Sequence, residues 1–150
     1  MSLNKELKTS IDKSVLCWLA TVSSDQTPNV SPKECFTYYG TSHIIIANIA
    51  SPQTVRNIQQ NNRVCISFID VLIQKGFQIK GRAEIIQKEH SEFENMHEIL
   101  SEMTKGKFPI PSITRISIEK VKPIIAPSYI LYPETTEEEQ IEDAKRTYGF

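Results

Sequence analysis

Apolar residues four apart open the chain. Leu3, Leu7, Ile11 and Val15 form a narrow stripe that predicts a helix over about residues 3–13. The pattern then changes. Residues 15–22, VLCWLATV, are apolar almost throughout and predict a strand buried on both faces. SSDQTP is a turn, residues 29–37 predict a second strand, and Tyr39 to Ser42 turn the chain into a third, HIIIAN. Ser51-Pro52 predicts a helix start. Serine is a good N-cap, and the first helical position needs no N–H from proline. Val55 and Ile58 give that helix its expected buried stripe, and Asn61-Asn62 ends it. RVCISFID predicts a fourth strand and GFQIKGRAEIIQ a fifth. In the fifth, Phe77, Ile79, Gly81 and Ala83 share one face and Gln78, Lys80, Arg82 and Glu84 the other. Phe93, Met96, Leu100 and Met103 stripe a helix over about residues 90–104, and a sixth strand is expected near residues 114–127. In the C-terminal PETTEEE, Thr135 with Glu138, or Thr136 with Glu139, reads as a capping box that opens a last helix.

Hairpin-connected strands dominate this order, and only one helix separates the third and fourth strands. That is not the alternating rhythm of a parallel sheet. The expectation is an α+β, mainly β fold: a six-stranded antiparallel barrel with peripheral helices, which removes sheet edges by closure. The 150 residues fit a single domain spanning residues 1–150.

Composition narrows the function. Apolar residues make up 39% and charged residues 23%, as in a soluble globular protein. No apolar run approaches the roughly 18 residues of a membrane span, and the polar N-terminus lacks the apolar core of a signal peptide. Cys17, Cys35 and Cys65 are odd in number and widely spaced, which suits reduced thiols and a cytoplasmic location. A net charge of -1 argues against nucleic-acid binding, but its distribution is uneven. Residues 1–133 carry 15 basic and 12 acidic side chains, whereas residues 134–150 carry 6 acidic and 2 basic ones. A mildly basic body suits an anionic ligand, and the acidic tail suits the start of a helix. His43, His90 and His97 have no companions at metal-ligand spacing, so no metal site is expected.

The candidate chemistry lies where a buried strand, HIIIAN, runs into a helix start. Free backbone N–H groups converge there with the hydroxyls of Ser51 and Thr54, the amide of Gln53 and, one turn on, the charge of Arg56. In PNVSPKECF, Ser31 and Lys33 alternate with apolar residues, and Pro32 marks an edge or a break in the ladder. If the second and third strands pair, Lys33 reaches this helix start and makes a phosphate clamp.

LATVSSDQTPNVSPK, IIANIASPQTVRNIQQNNRVCISF and KGFQIKGRAEI, in that order, resemble the FMN-binding split-barrel family related to pyridoxamine 5'-phosphate oxidase. The resemblance covers about residues 15–86 well. It implies an FMN cofactor and a homodimer with the flavin at the subunit seam. It places the FMN phosphate on Lys33 and on Ser51, Gln53 and Thr54, and the isoalloxazine ring beside Ala47, Asn48 and Ile49. Val30, Ser31 and Pro32 would offer backbone groups to the ring or ribityl chain, and Gln78 would approach the flavin across the seam. Flavin chemistry needs no catalytic side chain, and none is assigned. The chain departs from the family at Gln53, where a lysine or arginine is common; Arg56 compensates if it folds back. It also ends RTYGF, without the Arg-Leu-x-Pro segment of the vitamin B6 oxidases, so that activity is not expected. The alternatives are a split barrel using the deazaflavin F420 or haem, and a ligand sensor or interaction module with a weakened pocket.

Overall fold

The computed structural model describes residues 2–149. It contains α1 (Lys5–Lys13), β1 (Cys17–Val22), β2 (Pro28–Lys33), β3 (Phe36–Tyr39), β4 (His43–Asn48), α2 (Pro52–Gln60), β5 (Arg63–Asp70), β6 (Lys75–Ile86), α3 (Phe93–Thr104), β7 (Ser112–Ile125), α4 (Pro127–Leu131) and α5 (Glu137–Tyr148). The fold class is the expected one, with seven strands among the described residues rather than six. All pairings are antiparallel, in the order β2-β1-β5-β6-β7-β4-β3.

The seventh strand comes from residues 29–37, expected as one strand. They divide at Glu34-Cys35 into β2, which pairs with β1, and β3, which pairs with β4. β2 and β3 form opposite edges of the sheet, yet only two residues join them. Three Cα steps span at most about 11 Å, so the sheet must curl until its edges meet. The Cys35 carbonyl accepts from Ala47 N at 3.0 Å and ties this link to β4. A covalent crossing with one backbone bond therefore closes the barrel where a ladder would otherwise run.

Two cores sit on the two sides of the curled sheet. Inside the barrel, Leu19, Ile44, Ile66, Ile79 and Ile116 pack together, and α1 closes one end with Leu7 and Ile11. On the outer side, Ile45, Ala47, Ile86 and Ile113 pack against Phe93, Met96 and Leu100 of α3. This explains the uninterrupted apolar run in β4: Ile44 and Ile46 face one core, Ile45 and Ala47 the other.

Three expectations from periodicity need correction. β1 is not buried on both faces, because Trp18 points outward and is 48% exposed. The α1 stripe ends at Ile11: the chain leaves the helix at Ser14, and Val15 is exposed. On α3, Met103 lies past the packed surface and is exposed. β6 and β7 share a bulge at Lys80/Gly81, where the backbones come so close that a Cβ on Gly81 would lie 2.2 Å from the Ser117 carbonyl oxygen. Of the two possible capping boxes at α5, Thr136 with Glu139 forms, with both reciprocal bonds present. α4, starting at Pro127, was not expected.

Candidate functional site

Lys33 is the last residue of β2 and is only 6% exposed. The strand alternates, so Ser31 and Lys33 turn toward α2 while Val30 and Pro32 turn outward. Lys33 Nζ donates to Ser51 Oγ and, at 3.2 Å, to Thr54 Oγ1. Thr54 Oγ1 also lies 3.3 Å from Ser31 Oγ. Of the second expected strand, the Phe36–Thr37 end pairs with the third, as β3 with β4, while the part that carries Lys33 borders β1 as β2, and closure of the barrel between them brings Lys33 to α2.

Ser51 occupies the N-cap position with Pro52 beginning the helix, but its hydroxyl does not cap. It accepts from Lys33 instead. The first turn of α2, with its positive dipole end, thus meets a buried ammonium. Two like-signed features converge with only neutral hydroxyls between them. Among the described residues no carboxylate pairs with Lys33. Cys17, its register partner on β1, supplies no counter-charge, because burial pushes that thiol up to about 12 against the opposing pull of Lys33. Burial also lowers the Lys33 pKa below its ordinary 10.5. An anion placed here would relieve both effects.

Behind the cradle a second polar network is fully satisfied. Arg56 Nη2 folds back and donates to Gln53 Oε1 at 2.8 Å. Gln53 Nε2 donates to Asn57 Oδ1 at 2.7 Å, and Asn57 Nδ2 to Thr21 Oγ1 at 2.9 Å. Asn57 is buried and Val55 is not fully so, contrary to the expected Val55/Ile58 stripe: α2 seats Thr54, Asn57 and Ile58. Apolar periodicity cannot find a helix face that is two-thirds polar. The i, i+3, i+4 spacing of Thr54, Asn57 and Ile58 was the available signal.

A cleft of about 280 Å³ adjoins the cradle. Of the expected residues, Pro32, Lys33, Ala47, Ile49 and Ser51 line it. Glu34, Cys35, Ala50, Thr104 and Phe108 line it too and were missed: the first three adjoin expected residues, whereas Thr104 at the end of α3 and Phe108 on the α3–β7 loop are distant in sequence. Other expected residues lie elsewhere. The Asn48 side chain is locked inside the sheet, donating to Ser112 Oγ at 3.2 Å and accepting from Thr114 Oγ1 at 2.9 Å. Val30 is exposed on the outer face of β2. Gln78 lies on the outer face of β6, opposite Ser67 and Lys122, away from the cradle of its own chain. No group of three or more His, Cys, Asp or Glu residues fit for a metal ion occurs among the described residues.

Similar folds are known. HupZ of Group A Streptococcus is 27% identical with a TM-score of 0.68, over 79% of this chain and 91% of that one. An FMN-binding protein of Syntrophomonas wolfei is 18% identical with a TM-score of 0.68, covering 79% and 84% of the two chains. An F420 reductase is 20% identical with a TM-score of 0.60, covering 80% and 98%. No curated protein matches by sequence. The profile of one family, pyridoxamine 5'-phosphate oxidase, matches residues 3–143, nearly the whole chain that forms this closed sheet and its Lys33 cradle, and the protein belongs to that family.

Proposed function

We propose that this protein is an FMN-binding flavoprotein that grips the cofactor by its phosphate. The observation that carries the reading is Lys33, a residue 6% exposed whose ammonium, among the described residues, bonds to the Ser51 and Thr54 hydroxyls alone at a helix start. A buried charge without a counter-ion is costly, and a phosphate is the dianion that a lysine and a helix N-terminus together favour. The residues fit the group: Lys33, Ser51 and Thr54 would hold the phosphate, and Arg56, held by Gln53, adds charge one turn along. Ala47, Ile49 and Pro32 give the adjoining cleft apolar surface suited to the body of the flavin. Bound FMN would supply electron or hydride transfer. The protein's own residues bind and orient it, and no side chain is assigned as acid, base or nucleophile.

The reading includes a homodimer with the flavin at the subunit seam, in which the partner's Gln78 completes the site. A seam supplies the concave surface that a small barrel lacks, and Gln78 is half-buried on an outer sheet face that also exposes Trp18 and Val30. Three unpaired cysteines suit the cytoplasm.

The test is the optical spectrum and mass of the small molecule that copurifies, followed by titration of the stripped protein with FMN and sedimentation. A flavin spectrum, near one FMN per chain and a mass about twice 17.1 kDa support the reading. A deazaflavin or haem spectrum, or a colourless protein that takes up no FMN, overturns it.

A further inference from the structure

Two cross-strand rows run side by side over the outer face of the sheet. One is Val30, Ala20, Cys65, Lys80 and Lys120; the other is Pro32, Trp18, Ser67, Gln78 and Lys122. Each row begins apolar on β2 and β1 and ends in lysine, on β6 and β7 in the first row and on β7 in the second. Val30 and Trp18 are exposed at 57% and 48%. At the other end, Lys80 and Lys120 are direct register partners, and the bulge at Lys80/Gly81 sets them so. Like charges placed opposite each other across a sheet repel.

Among the described residues no carboxylate pairs with either lysine. Two nearby arginines hold carboxylates of their own, Arg82 with Glu119 at 2.6 Å and Arg115 with Glu84 and Glu92, so those acids are already engaged. Among the described residues Lys80, Lys120 and Lys122 form no ion pair and no side-chain hydrogen bond. The face therefore combines exposed apolar surface with three uncompensated positive charges, the two separated by about 14 Å at a strand spacing of about 4.8 Å.

The C-terminal arm has the complementary makeup. On α4 and just after it, Ile130, Leu131 and Tyr132 are exposed at 63%, 69% and 69%. Between α4 and α5 lies a groove lined by Glu138, Glu139, Glu142 and Asp143 together with Arg146; Arg146 pairs with Asp143 and Lys145 with Glu142, which leaves the groove net acidic. Residues 134–150 carry 6 acidic and 2 basic side chains. The arm is thus apolar at one end and acidic at the other, as the sheet face is apolar at one end and basic at the other.

We propose that the outer face of β1, β2, β5, β6 and β7 receives the α4–α5 arm of a second copy of this chain. The partner's Leu131 and Tyr132 cover Trp18 and Val30, and the partner's acidic groove meets Lys80, Lys120 and Lys122. This rests on the dimer reading above and deepens it by naming the arm that makes the interface. It also gives the acidic tail a role in holding partners together, beyond its own helix start.

A charge-swap series followed by sedimentation tests it. Lys120→Glu with Lys122→Glu should weaken the dimer by about tenfold or more, and Glu138→Lys with Glu142→Lys should do the same. Combining all four substitutions restores the salt bridges in reverse and should recover most of the lost affinity. Recovery in the combined variant supports the proposal. A lysine variant that dimerises like wild type, or a combined variant no better than the weaker pair, overturns it while leaving a dimer of another kind intact. A wild-type protein that is monomeric overturns both this inference and the dimer reading, without touching the Lys33 cradle.

Discussion

Two cationic side chains in this molecule are treated in opposite ways. Arg115 lies on β7, its side chain 14% exposed, and is met by two carboxylates: its Nε lies 2.7 Å from Glu84 Oε1 and its Nη1 2.6 Å from Glu92 Oε2. Lys33 is buried and, among the described residues, its ammonium is met by hydroxyls alone. The first is a finished interaction that ties β6 and β7 to the approach of α3. The second is unfinished, and an unfinished buried charge is what a site prepared for an anion looks like before the anion arrives. The fold could have paired Lys33 with a carboxylate and did not, at the point where a helix start already favours negative charge.

The largest expected effect separates the two sites by binding. A charge-assisted hydrogen bond contributes about 1.5–3 kcal/mol, so Lys33→Ala should weaken FMN by about ten- to a hundredfold. Arg115→Ala should leave FMN affinity near wild type, and a fluorescence titration reads both. Comparable losses in the two variants would end the distinction.

Stability should move in opposite directions. In the cofactor-free protein, Lys33→Met removes a buried charge without a counter-ion and should raise the denaturant midpoint. Arg115→Met strands two carboxylates and should lower it. Binding lost together with stability gained is the mark of a site kept for a ligand.

The same contrast predicts two pH dependences. Burial lowers the Lys33 pKa below its ordinary 10.5. In the window between the lowered and ordinary values the unfolded chain holds more protons, so the cofactor-free protein should gain stability as pH rises. FMN binding keeps the ammonium charged, so FMN affinity should fall as pH rises through the lowered value, and Lys33→Met should abolish both trends. At the other site, the hydrogen bond from Arg115 holds Glu92 below the usual carboxylate range. Its contribution is present above the ordinary value and should be lost as pH falls through the lowered one.

The smallest effect belongs to Arg56. It is exposed and reaches the cradle's neighbourhood only through Gln53. Arg56→Ala should weaken FMN by a few-fold, with the loss shrinking at high salt because an exposed charge is screened. A loss as large as that of Lys33→Ala would move the main phosphate contact to Arg56.

Much of this was legible in the chain, for identifiable reasons. Ser51-Pro52 after an apolar strand marks a helix start by local chemistry alone, and the structure keeps it. Pairing of the second and third expected strands accounts for only part of the approach of Lys33 to Ser51: Phe36 and Thr37 make that pairing, and closure of the sheet at Glu34-Cys35 does the rest. That closure was invisible because ECF continues the β-like composition of PNVSPK, so nothing local reveals that Lys33 and Phe36 lie on strands at opposite edges of the sheet. Asn57 was passed over because apolar periodicity gives weight to Val55. Phe108 was missed because only tertiary packing brings the α3–β7 loop to the cleft. α4 carried one usable sign, Pro127 at the first helical position, in a segment too short to show periodicity.

The central claim is that the phosphate is the handle. The direct test is a parallel titration of the stripped wild-type protein with FMN and with riboflavin, which differ only in that group. A preference for FMN of about tenfold or more, absent in Lys33→Met, is the predicted result. Equal affinity of the wild-type protein for the two flavins would contradict the account.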